Sequence, residues 1–398
     1  MTPLERRASA SLAAIFALRM LGLFLVLPVF ALEARRLPGG DDPALVGLAM
    51  GLYGLTQAVL QMPLGMASDR WGRKPVILAG LAVFALGSAL AAWAPSVHWL
   101  AAARALQGAG AISAAVTAFL ADVTRDQVRT KAMALVGASI ALMFALSLVL
   151  APWLAARIGL SGLFALTAAL ALGGMAVVAW VVPPEPPQHK DAGRGGLREV
   201  LVHGGLLRLN LGVFVLHAVQ LAMWMVVPAL LVKAGLPAAS HWQVYLPAML
   251  VSLLVMGGGL FRLERKGYLR AVFLLAIGLI VLAQVGFLWS EGAPSVPLLA
   301  TLLCVFFVGF NTLEATQPSL ASRLAPATHR GTALGIYNTL QSLGFFAGGA
   351  VGGWLLRQQG GHAVFMAAAA LTLLWLAVAW GMAPQAARGA AGSSSPGH

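Results

Sequence analysis

The chain predicts an all-α membrane protein of twelve transmembrane helices in two pseudo-symmetric six-helix bundles, a reading carried by three observations. Of its 398 residues 60% are hydrophobic and 10% charged, with a mean hydropathy of +0.85. A water-soluble core needs less apolar surface than this, whereas a bilayer-facing exterior must be apolar as well. Twelve apolar runs follow one another, each near the roughly 20 residues a spanning helix requires. The halves also repeat: LVLP at 25 to 28 returns as MVVP at 225 to 228, and FLAD at 119 to 122 returns as SLAS at 319 to 322. The loop pattern Asp69-Arg70-Trp71-Gly72 returns as Glu264-Arg265-Lys266-Gly267. Parallel duplicated halves are the sequence mark of a rocking two-bundle transporter.

Arg6 and Arg7 precede the first run, 10 to 33. It outlasts a signal peptide, contains Arg19 and offers no small-residue cleavage site before Pro28, so it reads as a permanent span. The second and third spans, 44 to 67 and 75 to 94, flank the polar interruption GMASDRWGRKP from Gly65 to Pro75. Three basic residues, one acid and two glycines do not lie in a bilayer core, so this segment is a tight loop. Spans four to six follow at 97 to 121, 131 to 154 and 160 to 182. The segment 183 to 206 starts PPEPPQHKD, turns glycine-rich and ends in a basic, leucine-containing stretch suited to a membrane surface. Spans seven to twelve are placed at 207 to 231, 241 to 261, 269 to 289, 295 to 321, 331 to 356 and 361 to 382.

Charge asymmetry orients these spans, because Lys and Arg are retained on the cytoplasmic side. With the N-terminus inside, inner segments hold nineteen basic residues: Arg6, Arg7, Arg70, Arg73, Lys74, Arg125, Arg129, Lys131, Lys190, Arg194, Arg198, Arg208, Arg262, Arg265, Lys266, Arg270, Arg323, Arg330 and Arg388. Outer loops hold five: Arg35, Arg36, Arg157, Lys233 and Arg357. The expected organisation is a bundle over 1–183, a cytoplasmic linker over 184–206, a second bundle over 207–384 and a disordered cytoplasmic tail over 385–398.

The net charge of +13 therefore reflects topology, since the cations punctuate apolar runs instead of clustering on a soluble face as in nucleic-acid proteins. The lone cysteine, Cys304, excludes a disulfide framework, and no metal-ligand cluster is present. A membrane enzyme would show convergent His, Asp or Cys groups, and a primary pump a GxxxxGK[ST] loop; neither pattern occurs. The chain is expected to need no cofactor beyond the proton as coupling ion, and to bind a small-molecule substrate and the lipid bilayer, with no nucleic acid, functioning as a monomer.

Among the acids only Glu314, in FNTLEATQP of span ten, falls well inside a span, and intramembrane acids are costly and usually functional. Asn311 lies one turn before it and Gln317 one turn after, a polar stripe that suits a water-filled cavity. His217 in span seven is the other titratable candidate for proton coupling, the bland reading being a hydrogen bond between helices. Tyr53, Gln57 and Gln61 share one face of span two, Asn338, Gln341 and Ser342 lie together in span eleven, and Gln220 and Trp224 form an i, i+4 pair in span seven. These are the expected cavity residues, although an aromatic in a span is more often packing. Arg19 either lines the cavity, contacts an anionic substrate group or pairs with Glu314.

Gly65, Asp69, Arg70, Gly72, Arg73 and Lys74 match the loop between spans two and three of the major facilitator superfamily, and the resemblance extends over essentially the whole chain. ERRA, LRMLG, YGLTQAVLQ, SDRWGRKP, RALQGAGAI and RTKAMA resemble the YajR-type bacterial inner-membrane drug/proton antiporters, which can carry a soluble C-terminal domain, whereas this chain ends soon after span twelve. The resemblance implies a latch in which Asp69 faces the start of span eleven near Gly331 and Thr332 and Arg73 pairs with Asp122. It also implies a proton-linked role for Arg104 with Gln107, Gly108 and Gly110; the alternative is that Arg104 ties span four to neighbouring carbonyls. In span five the family's glycine pattern is replaced: Pro152 stands, with Ala138, Ser147, Ala151, Ala155 and Ala156 in place of glycines, still small enough for close packing. The implied activity is proton-coupled export of a small amphipathic or drug-like molecule by rocker-switch alternating access; the alternative is a symporter or facilitator importing a nutrient.

Overall fold

A computed structural model describes residues 1–185, 202–260, 262–263, 266–325 and 330–381, except the side chains at 126, 127, 129, 130, 134, 260 and 330. The described residues contain helices and no strand. The first half contributes α1 (Pro3–Glu33), α2 (Pro43–Trp71), α3 (Arg73–Ala92), α4 (Val97–Ala109), α5 (Ser113–Asp122) and α6 (Asp126–Trp180). The second contributes α7 (Gly204–Lys233), α8 (Trp242–Val255), α9 (Leu269–Ser290), α10 (Val296–Leu324), α11 (Arg330–Gln359) and α12 (Gly361–Trp380).

Ten helical segments among the described residues are long and apolar enough to cross a membrane. One of them, Lys131–Trp180, holds two spans, because Gly159 at φ 64° breaks α6 in its middle. The glycine-rich α11, 30 residues long, supplies the twelfth. Three boundaries differ from the sequence reading. The loop expected over Gly65 to Pro75 shrinks to the one non-helical residue Gly72, since α2 runs to Trp71 and α3 starts at Arg73. The single span expected over 97–121 is two helices, α4 and α5, with residues 110–112 non-helical between them. A side chain at Gly110 would collide with the Gly80 carbonyl, so this stretch meets α3 backbone to backbone. The loop expected after residue 154 shrinks to the one non-helical residue Gly159, and α8 continues into a π-helical turn over Met256–Leu260. The linker residues 186–201 and the tail beyond 381 lie outside the described residues, as do Glu264 and Arg265 of the repeated loop.

Duplication is written into the backbone. Among the described residues, those with positive φ are all glycines, and they pair off between the halves: Gly39 at 85° with Gly235 at 91°, Gly72 at 96° with Gly267 at 92°, and Gly159 at 64° with Gly360 at 81°. Each pair closes the equivalent turn in its half, at a positive φ that strains any residue with a side chain. Pro28 in α1 and Pro228 in α7 likewise sit inside corresponding helices.

The halves meet through a seam between α2 and α11. A Cβ at Gly349 would lie 2.5 Å from the Gly47 carbonyl oxygen, and one at Gly353 2.5 Å from that of Pro43. Neither could yield, so only glycine lets these helices approach so closely. One end of the seam carries the ion pair Arg357 to Asp42 at 2.9 Å. Nearby, Phe144 of α6 packs against Phe307 and Phe310 of α10 at ring distances of 6.3 and 6.1 Å. On the face that carries the Gly65 to Pro75 loop, the halves part instead. The positions of Gly137, Gly331 and Gly335 on this side face open space. Trp71, Trp180 and Trp380 at the loop face, and Trp93 and Trp289 at the opposite face, are 65% to 82% exposed. Indoles at helix ends are suited to a membrane interface.

Candidate functional site

Arg19 of α1 is 1% exposed and has no carboxylate among the described residues within ion-pair distance. Its guanidinium donates to Tyr53 Oη at 2.8 Å, Ser113 Oγ at 3.2 Å, Gln57 Oε1 at 3.3 Å and the Gly110 carbonyl at 3.5 Å. The non-helical break between α4 and α5 is what presents that carbonyl. Arg104, also 1% exposed, stacks on the other side of Tyr53 at 4.8 Å, donates to the Met50 carbonyl at 3.3 Å and hydrogen-bonds Gln107. Two cations thus bracket one phenol, and every acceptor they use is neutral. Arg19 does not pair with Glu314 in this structure.

The facing wall belongs to the second half. His217 of α7 lies with Nδ1 2.9 Å from the Val213 carbonyl, which assigns the proton to Nδ1 and leaves Nε2 an acceptor in the neutral ring. Gln341 of α11 donates to that Nε2 at 2.7 Å and to Glu314 Oε1 at 3.4 Å. Glu314 Oε2 stands 3.3 Å from the same Nε2, and its side chain is 38% exposed. A carboxylate oxygen and an imidazole lone pair repel unless a proton lies on one of them. Phe310 and Phe345 pack on the imidazole at 5.9 and 4.9 Å and fix its plane.

Gln57 joins the two walls. While its Oε1 accepts from Arg19, its Nε2 donates 3.1 Å to Ser342 Oγ, next to Gln341 on α11. A chain of polar contacts therefore runs from the buried cation of one half to the neighbour of Gln341 in the other. Asn338 is half-buried near it on α11, and Asn311 is directed away, donating 2.8 Å to Ser252 Oγ of α8.

Other expected cavity residues lie within packed helices. Gln61 is 1% exposed, Gln220 3%, and Gln107 is fully buried, serving Arg104 and donating 2.8 Å to Ser88. Trp224 is fully buried against Tyr245 and Phe307, so it is core. A polar residue facing inward in sequence faces a neighbouring helix as readily as a cavity. Ser147, Ala151, Pro152 and Ala155 are buried on α6, whereas Ala138 and Ala156 are exposed and pack nothing.

At the loop, Arg73 donates 2.9 Å to Asp122 Oδ2 and 2.7 Å to Ser68 Oγ, and also pairs with Asp69. Asp69 makes no hydrogen bond to Gly331 among the described residues and is held by Arg73 instead. Gly65 lets α2 pass close to Ala114, and Arg70 is exposed. One participant escaped the sequence reading: Glu185, whose Oε2 accepts from the Arg73 amide at 2.8 Å and whose Oε1 accepts from the Lys74 amide at 2.5 Å. It caps α3 from 112 residues away, a distance no local spacing signals. At the same face Glu5 accepts from Arg125 Nε at 2.8 Å, and this carboxylate raises the Arg125 guanidinium above its ordinary range.

The family model described as Major Facilitator Superfamily matches residues 12–349 and again 267–396. The chain belongs to the Major Facilitator Superfamily. It is 45% identical over 383 residues to the inner membrane transport protein YajR of Escherichia coli (strain K12), covering 95% of this chain and 84% of that one. It is 28% identical to the multidrug resistance protein MdtH of Proteus mirabilis (strain HI4320), covering 84% of each. Among solved structures, a D-xylose–proton symporter superposes with a TM-score of 0.76 at 15% identity, covering 94% of this chain and 98% of that one. The human organic anion transporter MFSD10 superposes with a TM-score of 0.69 at 19% identity, covering 95% and 100%. The superfamily assignment makes the chain a multi-pass membrane transporter, and the superpositions bear on its fold alone.

Proposed function

We propose that this major facilitator exports a small amphipathic molecule in exchange for protons, through rocker-switch alternating access, across the bacterial inner membrane. The carrying observation is the Glu314–His217–Gln341 cluster, a half-exposed carboxylate placed to hold one proton at the cleft wall. The names of the relatives, an inner membrane transport protein and a multidrug resistance protein, support the membrane and the direction. The excess of basic residues on the loop face makes that face and both termini cytoplasmic. The structure then corresponds to the inward-open state, ready to load from the cytoplasm. Glu314 gives up its proton as substrate binds, and the reverse exchange occurs on the other side. Arg104 positions Tyr53, and the proton is the sole coupling ion; a monomer suffices, since the cleft is built within one chain.

The test is transport by protein reconstituted into liposomes under an imposed pH gradient. Substrate movement toward the acidic side, opposite to proton flow, is expected, with Glu314→Gln losing gradient-driven transport. Movement in the direction of proton flow would instead establish the symport reading.

A further inference from the structure

The two walls of the cleft carry opposite charges, and neither charge is satisfied within its own wall. On the first-half wall Arg19 and Arg104 are each 1% exposed, without a carboxylate partner among the described residues. An intramembrane guanidinium held only by neutral acceptors lacks the compensation a carboxylate provides. Three of the four hydrogen bonds of Arg19 are 3.2 Å or longer, and its Nε has no partner. On the second-half wall Glu314 faces His217 of α7, with Gln341 and Tyr337 from α11 as its other ionisable or polar neighbours. A neutral imidazole does not neutralise it.

Gln57 shows how a ligand would lie between them. Its amide oxygen points at Arg19 and its amide nitrogen at Ser342, beside Gln341. The side chain is a dipole with its negative end toward the guanidinium and its positive end toward the acid-bearing wall. Around Tyr53, the side chains of Leu23, Leu27, Met50, Leu221 and Phe345 form a narrow apolar recess beside Arg104, which must widen to receive an aromatic body.

We propose that the transported molecule is a zwitterionic amphiphile whose anionic group displaces the Gln57 amide oxygen from Arg19, whose ammonium group takes the place of the proton at Glu314, and whose apolar body enters the Tyr53–Phe345 recess. The proposal rests on the proton-exchange reading and explains it: an ammonium and a proton compete for one carboxylate, while Arg19 does not titrate and only selects. A molecule with the cation alone would be exchanged for protons but would leave Arg19 uncompensated.

Three matched probes test this: 4-phenylphenylalanine, its methyl ester (cation only) and its N-acetyl derivative (anion only), bound to the purified full chain at equilibrium. The zwitterion should bind at least about tenfold more tightly than either derivative. Arg19→Gln should reduce the ratio of zwitterion to ester binding to about one, and Glu314→Gln should do the same for the ratio of zwitterion to N-acetyl binding. Arg19→Lys, which keeps the charge, should retain most of the preference and separates loss of charge from loss of fold. Ester and zwitterion binding equally to the wild type, or none of the three binding, overturns the proposal. Equal binding accompanied by proton release that Glu314→Gln abolishes overturns it while leaving proton exchange standing.

Discussion

Arg73 holds Asp122, Ser68 and Asp69 with one guanidinium while its own backbone amide is capped by Glu185. A bidentate carboxylate at a helix N-terminus satisfies orphan amides and opposes the helix dipole. Glu185→Gln is expected to destabilise the protein by about 1 kcal/mol, read as a lower midpoint of thermal unfolding in detergent. Asp69→Asn should leave the fold intact but impair transport, because Asp69 has a second partner to find when the cleft closes at the loop face; full transport by that variant would remove it from the latch. Glu314 and His217 were legible as lone titratable letters in apolar runs. Their shared neighbour Gln341 was legible only as a polar letter, because what joins three residues on α7, α10 and α11 is the way those helices pack. Glu185 was invisible for the same reason.

The duplicated helices were readable wherever hydropathy decides and misread wherever a backbone approach decides. The break between α4 and α5 and the one-residue turn at Gly159 both depend on neighbours that sequence spacing does not display. The glycine pairs make their own prediction. Gly72→Ala forces a side chain into φ 96°, at an expected cost of about 1–3 kcal/mol, measurable by thermal unfolding. At the seam, Gly349→Ala introduces a Cβ 2.5 Å from the Gly47 carbonyl. That contact exists only while α2 and α11 touch along this stretch, so the variant should favour the state in which the opposite face opens. Increased labelling of a cysteine placed on that face by a membrane-impermeant maleimide would report the shift.

The molecule as a whole presents a closed face and an open one, and cysteine pairs test which face moves. In a Cys304→Ser background, Asp42→Cys with Arg357→Cys should be joined by a short bifunctional thiol reagent and so stop transport, since the native pair bridges the seam at 2.9 Å. Asp69→Cys with Gly331→Cys should cross-link only when the transporter cycles, and ligand should change its rate. The fold class was fully readable, because composition, span count, loop charges and internal repeat all point to one architecture. The state of the cleft was not, since both states are made from the same sequence and differ only in which pairs of residues meet.

The α2–α11 seam has a bearing on speed. Where glycine Cα atoms and carbonyls face one another, at Gly47, Gly349 and Gly353, parting the helices leaves few side chains to repack. Such a joint behaves like two smooth rails instead of interlocked teeth. The work of turning the transporter over is then left to the charged contacts at its ends and at its centre, the places where a proton or a solute can act.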